Sequence, residues 1–393
     1  MTAFDFLPDQ FTAPEILDEL AIELAHLSSA AHQLDLDPDI TLRLRYPARE
    51  TTHNLVLRKV DDEFRNVQAL IVEHSTQGHS CIPLILDRQH PNSVRAEALR
   101  RASQAALLNV PIAASAAAIN LDPQELTEHQ LHSLVRQISS RDTNFAPSYL
   151  MNHSIALWLL ASGAFTLGRA TTARTTIQAH WVLECIRRFG QLDLRNATVA
   201  LQGFDAHAQH LASLLTHAGA KLVAVSDNSG GLYDRNGLDL VAIRQHRTQH
   251  RMLAGYPAPE AVTNADLLAT PCDVLILTAA EHQITPANAT QVRANVILEF
   301  HPRAIASECL STLKNSVVLP SLLSTAGALL ADFAELTTPL PDTLTEPRCR
   351  AFVRRIITPL TRRLRTTMQP TLLESCYLNA VERLANSLRW HNQ

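Results

Sequence analysis

Between residues 197 and 227 the sequence leaves little choice of structure. A short apolar run, Ala197–Leu201, leads into a four-residue turn, Gln202–Asp205, and then a helical stretch, Ala206–Ala218. Gly219 ends that stretch, and a second apolar run, Lys221–Val225, closes on Ser226-Asp227. A strand, a tight turn, a helix and a second strand in one short span wind as a parallel crossover unit. Three further apolar strands are predicted at Val274–Leu277, Val296–Glu299 and Val317–Leu319, separated by turn or helical segments. The pattern predicts a doubly wound, nucleotide-binding type of sheet across about 195–325.

The preceding part of the chain reads differently. A helix is predicted over 12–34, after Thr12-Ala13-Pro14, followed by strands at Ile40–Pro47, Asn54–Lys59, Val67–Glu73 and Ile82–Asp87. Ala96–Leu108, Asp122–Ser139, Ser154–Ala164 and Thr172–Arg188 read as helices, the second opened by Asp122-Pro123. The tail from Arg348 to Arg389 reads as two helices interrupted near Pro359 and Pro370. The fold class is therefore α/β with two domains: 1–170 an N-terminal α/β domain and 171–340 the doubly wound domain, followed by C-terminal helices over 341–393.

Composition narrows the function. The 393 residues carry 34 basic and 38 acidic side chains, a net charge of −4, which excludes a dedicated nucleic-acid binder and a polybasic membrane surface. Six cysteines lack CxxC or CxxH spacing, so neither a disulfide framework nor a zinc site is expected. The start has acids where a signal peptide needs basic residues, and Ile155–Phe165 is too short to span a bilayer, so a cytoplasmic location is expected. Lysine occurs only at 59, 221 and 314, and glycine only 11 times. Few lysines mean few amines of tunable pKa, a role arginine cannot take. Few glycines mean few places where backbone can closely approach a ligand. His207/His210 and His246/His250 each fall at helical spacing, but with 18 histidines in the chain such pairs are expected without a metal.

The stretch LQGFDAHAQHLASLLTHAGAKLVAVSDNSGGLYDRNGLDL (201–240) resembles the Glu/Leu/Phe/Val dehydrogenase family, whose segment runs roughly QGFGNVG, helix, GAKVVAVSDSxGxIYxxxGLD. CDVLILTAAEHQIT (272–285), PSLLSTAGALLADFAEL (320–336), PIAASAAAI (111–119) with the DPxELT segment at 122–127, NFAPSYLMN (144–152) and YLNAVERLA (377–385) are similar to further family stretches in the same order. The resemblance implies an amino-acid dehydrogenase fold, in which 1–170 is the assembly and substrate domain and the helices of 341–393 return to it, and an oligomer.

It also implies where the family's chemistry should sit, and there the residues differ. The water-activating lysine of the family's GGAKGG falls on Ala116, with its glycines on Ala113, Ala114, Ala117 and Ala118. The lysine that holds the substrate carboxylate falls on Gln104, and a further lysine falls near Cys81. The proton-shuttling aspartate falls on Ser148, the substrate-side serine on Asp332 and a neighbouring asparagine on Thr325. None of Gln104, Ala116 and Ser148 supplies a tuned amine or carboxylate, so no catalytic residue is intact.

The family's dinucleotide loop becomes Gly203-Phe204-Asp205-Ala206, with Asp205 placing a negative side chain where pyrophosphate should bind. Asp227 keeps a carboxylate for a ribose hydroxyl, which favours NAD over NADP, and Ala279-Ala280 keeps the small pair that faces a cofactor. Glu299-Phe300-His301-Pro302 replaces the family's EGANG. Gly203 and Asp227 also read as plain turn residues. The expectation is a dehydrogenase-like protein that has lost oxidative deamination, kept for a regulatory, scaffolding or ligand-sensing role as a homo-oligomer. The alternatives are an NAD-linked oxidoreductase of altered chemistry and a non-catalytic subunit assembled with an active paralogue.

Overall fold

The computed structural model describes residues 19–58, 64–75, 78–86, 90–122, 126–139, 145–147, 171–257, 260–279, 281–337, 345–367 and 369–390. The helices are α1 (Glu19–Gln33), α2 (Pro38–Arg45), α3 (Pro91–Leu108), α4 (Glu128–Ser139), α5 (Thr171–Phe189), α6 (Ala206–His217), α7 (Leu240–His250), α8 (Asn264–Ala269), α9 (Ser321–Ser324), α10 (Ala326–Thr337), α11 (Glu346–Thr367) and α12 (Leu372–Trp390). The strands are β1 (Arg49–Arg58), β2 (Phe64–Glu73), β3 (Ile82–Leu86), β4 (Ser115–Ile119), β5 (Phe145–Pro147), β6 (Thr198–Gln202), β7 (Lys221–Asp227), β8 (Gly230–Tyr233), β9 (Glu260–Val262), β10 (Cys272–Leu277), β11 (Ala294–Glu299) and β12 (Val317–Leu319).

They form a five-stranded mixed sheet, in the order β1-β2-β4-β3-β5, and a seven-stranded one, in the order β12-β11-β10-β6-β7-β8-β9. In the second sheet β6, β7, β10, β11 and β12 run parallel, as the sequence pattern predicts. The chain winds one way from β6 to β7 and later the other way to β10, so the crevice between the carboxyl ends of β6 and β10 is the topological switch point. β8 and β9 extend that sheet antiparallel beyond β7.

The largest core cluster joins α3, α5 and α10 to α12 with the parallel strands through Leu99, Trp181, Leu201, Leu329, Val353 and Val381. Trp181 is fully buried, and its indole N–H donates to the Leu323 carbonyl at 2.7 Å. A side chain on Gly327 would meet Trp181 Cβ at 2.9 Å and Gln178 Cα at 3.0 Å, so the close approach of α10 to α5 depends on that glycine.

Several expectations need correction. Ile40–Pro47 is not a strand: Pro38–Arg45 is helical, with the Asp37 carboxylate accepting from Asp39 N and Pro38 opening the helix. α4 begins at Glu128 rather than Asp122, where Thr127 Oγ1 accepts from Gln130 N and Gln130 Oε1 accepts from Thr127 N. α3 starts at Pro91, earlier than Ala96. Pro359 does not interrupt α11. It lies on the exposed side, where water can take the carbonyl its missing N–H leaves unbonded. The helix expected over 12–34 is described only from Glu19, and Ser154–Ala164 lies outside the described residues.

The Ala-rich segment 113–118 becomes β4 and the coil before it, packed between β2 and β3. Every residue from Ala113 to Ala118 is buried, and none has a positive φ. Alanine is therefore unstrained there and lowers the entropy lost on folding. Replacing Ala113, Ala114, Ala117 and Ala118 together by Gly should destabilise the chain by about 2–4 kcal/mol, at roughly 0.5–1 kcal/mol each. Thermal melting is the measurement; an unchanged or higher midpoint would contradict a packing role.

Candidate functional site

The residues that the resemblance assigns to a substrate cleft lie on α3, β4 and the α9–α10 segment. Ala116, where the resemblance implies a lysine, is fully buried near the start of β4, paired with Val72. Gln104, on α3, donates through Nε2 to Thr325 Oγ1 at 2.8 Å and to the Leu322 carbonyl at 3.2 Å. Its amide thus ties α3 to the α9–α10 junction. One turn earlier on α3, the Arg101 guanidinium donates to Asp332 Oδ2 at 2.9 Å. Arg174, from α5, donates to Asp332 Oδ1, and its other terminal nitrogen reaches Glu335 Oε2 at 2.8 Å. Arg101, Arg174 and Asp332 are all buried.

Two arginines and two carboxylates therefore meet in one network, with Asp332 shared between Arg101 and Arg174. Burial alone would raise the Asp332 carboxyl, but Arg174 and Arg101 together outweigh it and hold the group below the ordinary carboxylate value. Cys81 lies against the same carboxylate; burial first, and then Asp332, push its thiol well up, so it stays neutral. Ser115 Oγ donates to the Cys81 carbonyl at 3.0 Å. Among the described residues the cleft base thus offers no unpaired amine.

At the switch point Gly203 has φ 96°, and a side chain there would run into Thr278 Oγ1. Thr278 donates through N and Oγ1 to the Gln202 carbonyl at 2.9 and 2.7 Å, joining the ends of β6 and β10. The glycine is thus required by this strand junction itself. Phe204 is buried, with the Arg247 guanidinium 5.9 Å from its ring centroid. Asp205 is the N-cap of α6, its carboxylate accepting from Ala208 N at 2.8 Å, and Ala206 opens the helix.

Asp227 is engaged on both oxygens. Oδ1 accepts from Ser229 N at 2.8 Å and from Ser229 Oγ; Oδ2 accepts from Leu253 N at 2.9 Å and faces Arg247 Nε at 3.6 Å. A cavity of about 10 Å³, the size of one water, lies between α5 and α6 beside Thr278 and Phe300. Ala279 is exposed beside this crevice.

Ser148 and Ala280 lie outside the described residues. The His246 and His250 rings stand 4.4 Å apart, and among the described residues no group of three or more His, Cys, Asp or Glu is arranged to hold a metal ion. Nor is any described helix long and apolar enough to cross a membrane. The sequence reading missed Arg101, Arg174, Glu335 and Arg247. Arg101 alone left a signal, standing one helical turn before Gln104 and so on the same helix face.

The two-sheet fold with a switch-point crevice is that of a dehydrogenase. The profile of the Glutamate/Leucine/Phenylalanine/Valine dehydrogenase family matches residues 168–389, and the chain belongs to that family. An NADP-specific glutamate dehydrogenase of Synechocystis sp. is 29% identical over 351 residues, covering 79% of this chain and 81% of the relative. A cryptic catabolic NAD-specific glutamate dehydrogenase of Bacillus subtilis is 25% identical over 357 residues, 82% and 83% of the two chains. The fold is similar to a hetero-hexameric glutamate dehydrogenase from Thermus thermophilus in its Leu-bound form, with a TM-score of 0.81 and 22% identity over 97% of this chain and 99% of that one.

Asp332→Asn should leave Arg101 and Arg174 with Glu335 as their one remaining carboxylate, a loss on the order of 3–5 kcal/mol for breaking a buried pair. Urea unfolding measures it. Because Asp332 titrates below an unfolded aspartate, at about 3.9, its contribution is present at neutral pH and fades as pH falls through the folded value. The variant should therefore also show a flatter acid limb. A wild-type urea midpoint in the variant would remove the network from any role in stability.

Proposed function

We propose that this chain is a non-catalytic, glutamate dehydrogenase-like subunit that assembles with an active dehydrogenase and serves structure or regulation there. The observation that carries the reading is Asp332, held between Arg101 and Arg174 in the cleft base. An internal carboxylate occupies that base and takes a terminal nitrogen of each guanidinium, which leaves Arg101 Nε without a partner. Ala116 has no titratable atom, and the Gln104 amide is spent on Thr325 and Leu322. General acid–base chemistry needs a proton-transferring group at the reacting carbon, and none of these supplies one.

The family implies a nicotinamide dinucleotide, which supplies a hydride acceptor when bound. The residues present do not fit it. Asp205 spends its carboxylate on the amide of Ala208 at the α6 N-terminus, where pyrophosphate would need both the amide and a positive field. Asp227 is engaged by Leu253 and Ser229 and faced by Arg247. Mixed assembly is supported by the likeness to a hetero-hexameric glutamate dehydrogenase. A cytoplasmic location goes with this reading.

Purified protein should show no NAD(P)-dependent turnover of glutamate, leucine, phenylalanine or valine; measurable turnover would sink the proposal. NADH titration should give weak or no binding to wild type. Asp205→Gly should tighten it by on the order of 1–3 kcal/mol, the scale of removing a desolvated like charge, while losing only a few tenths of a kcal/mol of capping. Tight wild-type binding that ignores the substitution would refute the account of the loop. Purification from the native cell should recover a second, active glutamate dehydrogenase chain; recovery of this chain alone would refute mixed assembly.

A further inference from the structure

We propose that the pocket between α1, the segment that follows β11 and the start of α12 binds an organic cation, an ammonium group carried on a short apolar body. The pocket has a volume of about 620 Å³, and its walls are largely apolar, with Ile22, Ile305, Leu313, Val318 and Leu372 among them. Glu299, at the carboxyl end of β11, and Glu23, on α1, line the same space. None of Arg101, Gln104, Arg174 and Asp332 lines it, so the inference does not rest on the proposed function.

Glu299 is the exception among the buried carboxylates. The others each face a guanidinium: Glu23 and Glu97 face Arg100, Glu73 faces Arg49, Glu184 faces Arg188 and Arg354, and Asp332 faces Arg101 and Arg174. Among the described residues no cation stands within ion-pair distance of Glu299, which is 9% exposed. Its Oε1 accepts from Ile305 N at 3.2 Å and its Oε2 from Ser321 N at 3.0 Å, bonds that place the side chain without neutralising it. Burial is the largest influence and pushes the carboxyl up; the donors of Ser321 and Ile305 and the field of Arg100 offset only part of it. A buried carboxylate in this position is stabilised by any cation that can reach it, and each of its oxygens can accept a further hydrogen bond.

The charges around the pocket favour the same sign of ligand. Glu23 accepts from Arg100 Nε at 2.8 Å and from the Tyr377 hydroxyl, and Arg100 is shared with Glu97 at 2.6 Å. Of the basic groups lining the pocket, Arg303 is held by Glu19 and Glu281, and Lys314 is exposed to solvent. Burial lowers the His26 imidazole, so it adds little charge at neutral pH. A bare metal ion would gain nothing from the apolar walls, and a neutral apolar molecule would gain nothing from Glu299. An ammonium on an apolar body uses both: it buries hydrocarbon against the walls and donates to the carboxylate.

The test is calorimetric titration of the full chain at neutral pH and constant ionic strength with probes of equal length: pentylammonium, 1-pentanol and pentanoate. Wild type should bind pentylammonium about tenfold or more tighter than either of the others, the scale of one charged hydrogen bond. Glu299→Gln keeps the shape of the side chain and should remove that preference. Ile22→Trp, at a half-buried position on α1, should fill the pocket and abolish binding with Glu299 untouched, so the test stands even where Glu299→Gln fails to fold. Val241→Trp, at an exposed position on α7 away from the pocket, should leave binding unchanged. Absence of binding, or wild-type binding with no preference for the ammonium, overturns the proposal. So does a preference that survives Glu299→Gln, which makes Glu299 only a latch on the main chain. Binding that survives Ile22→Trp, or that falls equally in Val241→Trp, places the probe elsewhere and overturns it too.

Discussion

A carboxylate buried against two guanidiniums sets the terms for the rest of the cleft. Asp332 has lost its water, and Arg174 and Arg101 are what keep it charged. Arg174 in turn needs Glu335 to bring the set to neutrality. No member can be removed alone without leaving an unpaired charge in a medium that solvates it poorly. The network also has a mechanical effect. Arg101 stands on α3, Arg174 on α5, and Asp332 and Glu335 on α10, so satisfying the charges fixes three helices together. Gln104 adds a neutral tie between α3 and the α9–α10 junction. Arg101, Gln104, Arg174 and Asp332 are thus part of the hydrogen-bonded core.

The same substitution of a side chain for a ligand recurs at the other end of the crevice. A helix N-terminus attracts negative charge whether the charge arrives on a phosphate or on a neighbouring aspartate. Asp205 supplies it from within the chain, at 2.8 Å from Ala208 N. Asp227 undergoes the complementary change: a carboxylate suited to a ribose hydroxyl takes Leu253 N and Ser229 instead. Both carboxylates thus spend hydrogen-bonding capacity within the chain.

Much of this architecture was legible in the sequence. Parallel strands covered on both faces read as continuous apolar runs, and Val274–Leu277 and Val296–Glu299 are such runs. The short strands β8 and β9 were not legible, because Gly230–Tyr233 and Glu260–Val262 are too short to show a period and exist through pairing, β8 with β7 and β9 with β8. α2 misled for a definite reason. Ile40, Leu42 and Leu44 alternate with polar residues as a strand would, and only the Asp37-Pro38 cap signals a helix. In the cleft the missing lysines were legible, since each absence is local. The network that replaces them was not, because Arg101 and Asp332 are 231 positions apart and Arg174 and Asp332 are 158 apart. Which charges pair across such distances is decided by packing.

The glycines separate what the fold needs from what a ligand needs. Gly203 and Gly327 remain, and each has a structural reason: Thr278 beside the first, Trp181 and Gln178 beside the second. The glycines that the resemblance places at Ala113, Ala114, Ala117, Ala118 and Asp205 are gone. At the alanines the backbone is ordinary, with no positive φ to demand glycine, and the added methyl groups are buried against neighbouring strands. At Asp205 the φ is −71°, equally open to any residue. A glycine that no dihedral angle and no internal contact requires serves only the approach of something from outside. Losing that class while keeping the other preserves the scaffold, with Thr278, Trp181 and Gln178 still packed against the glycines that remain.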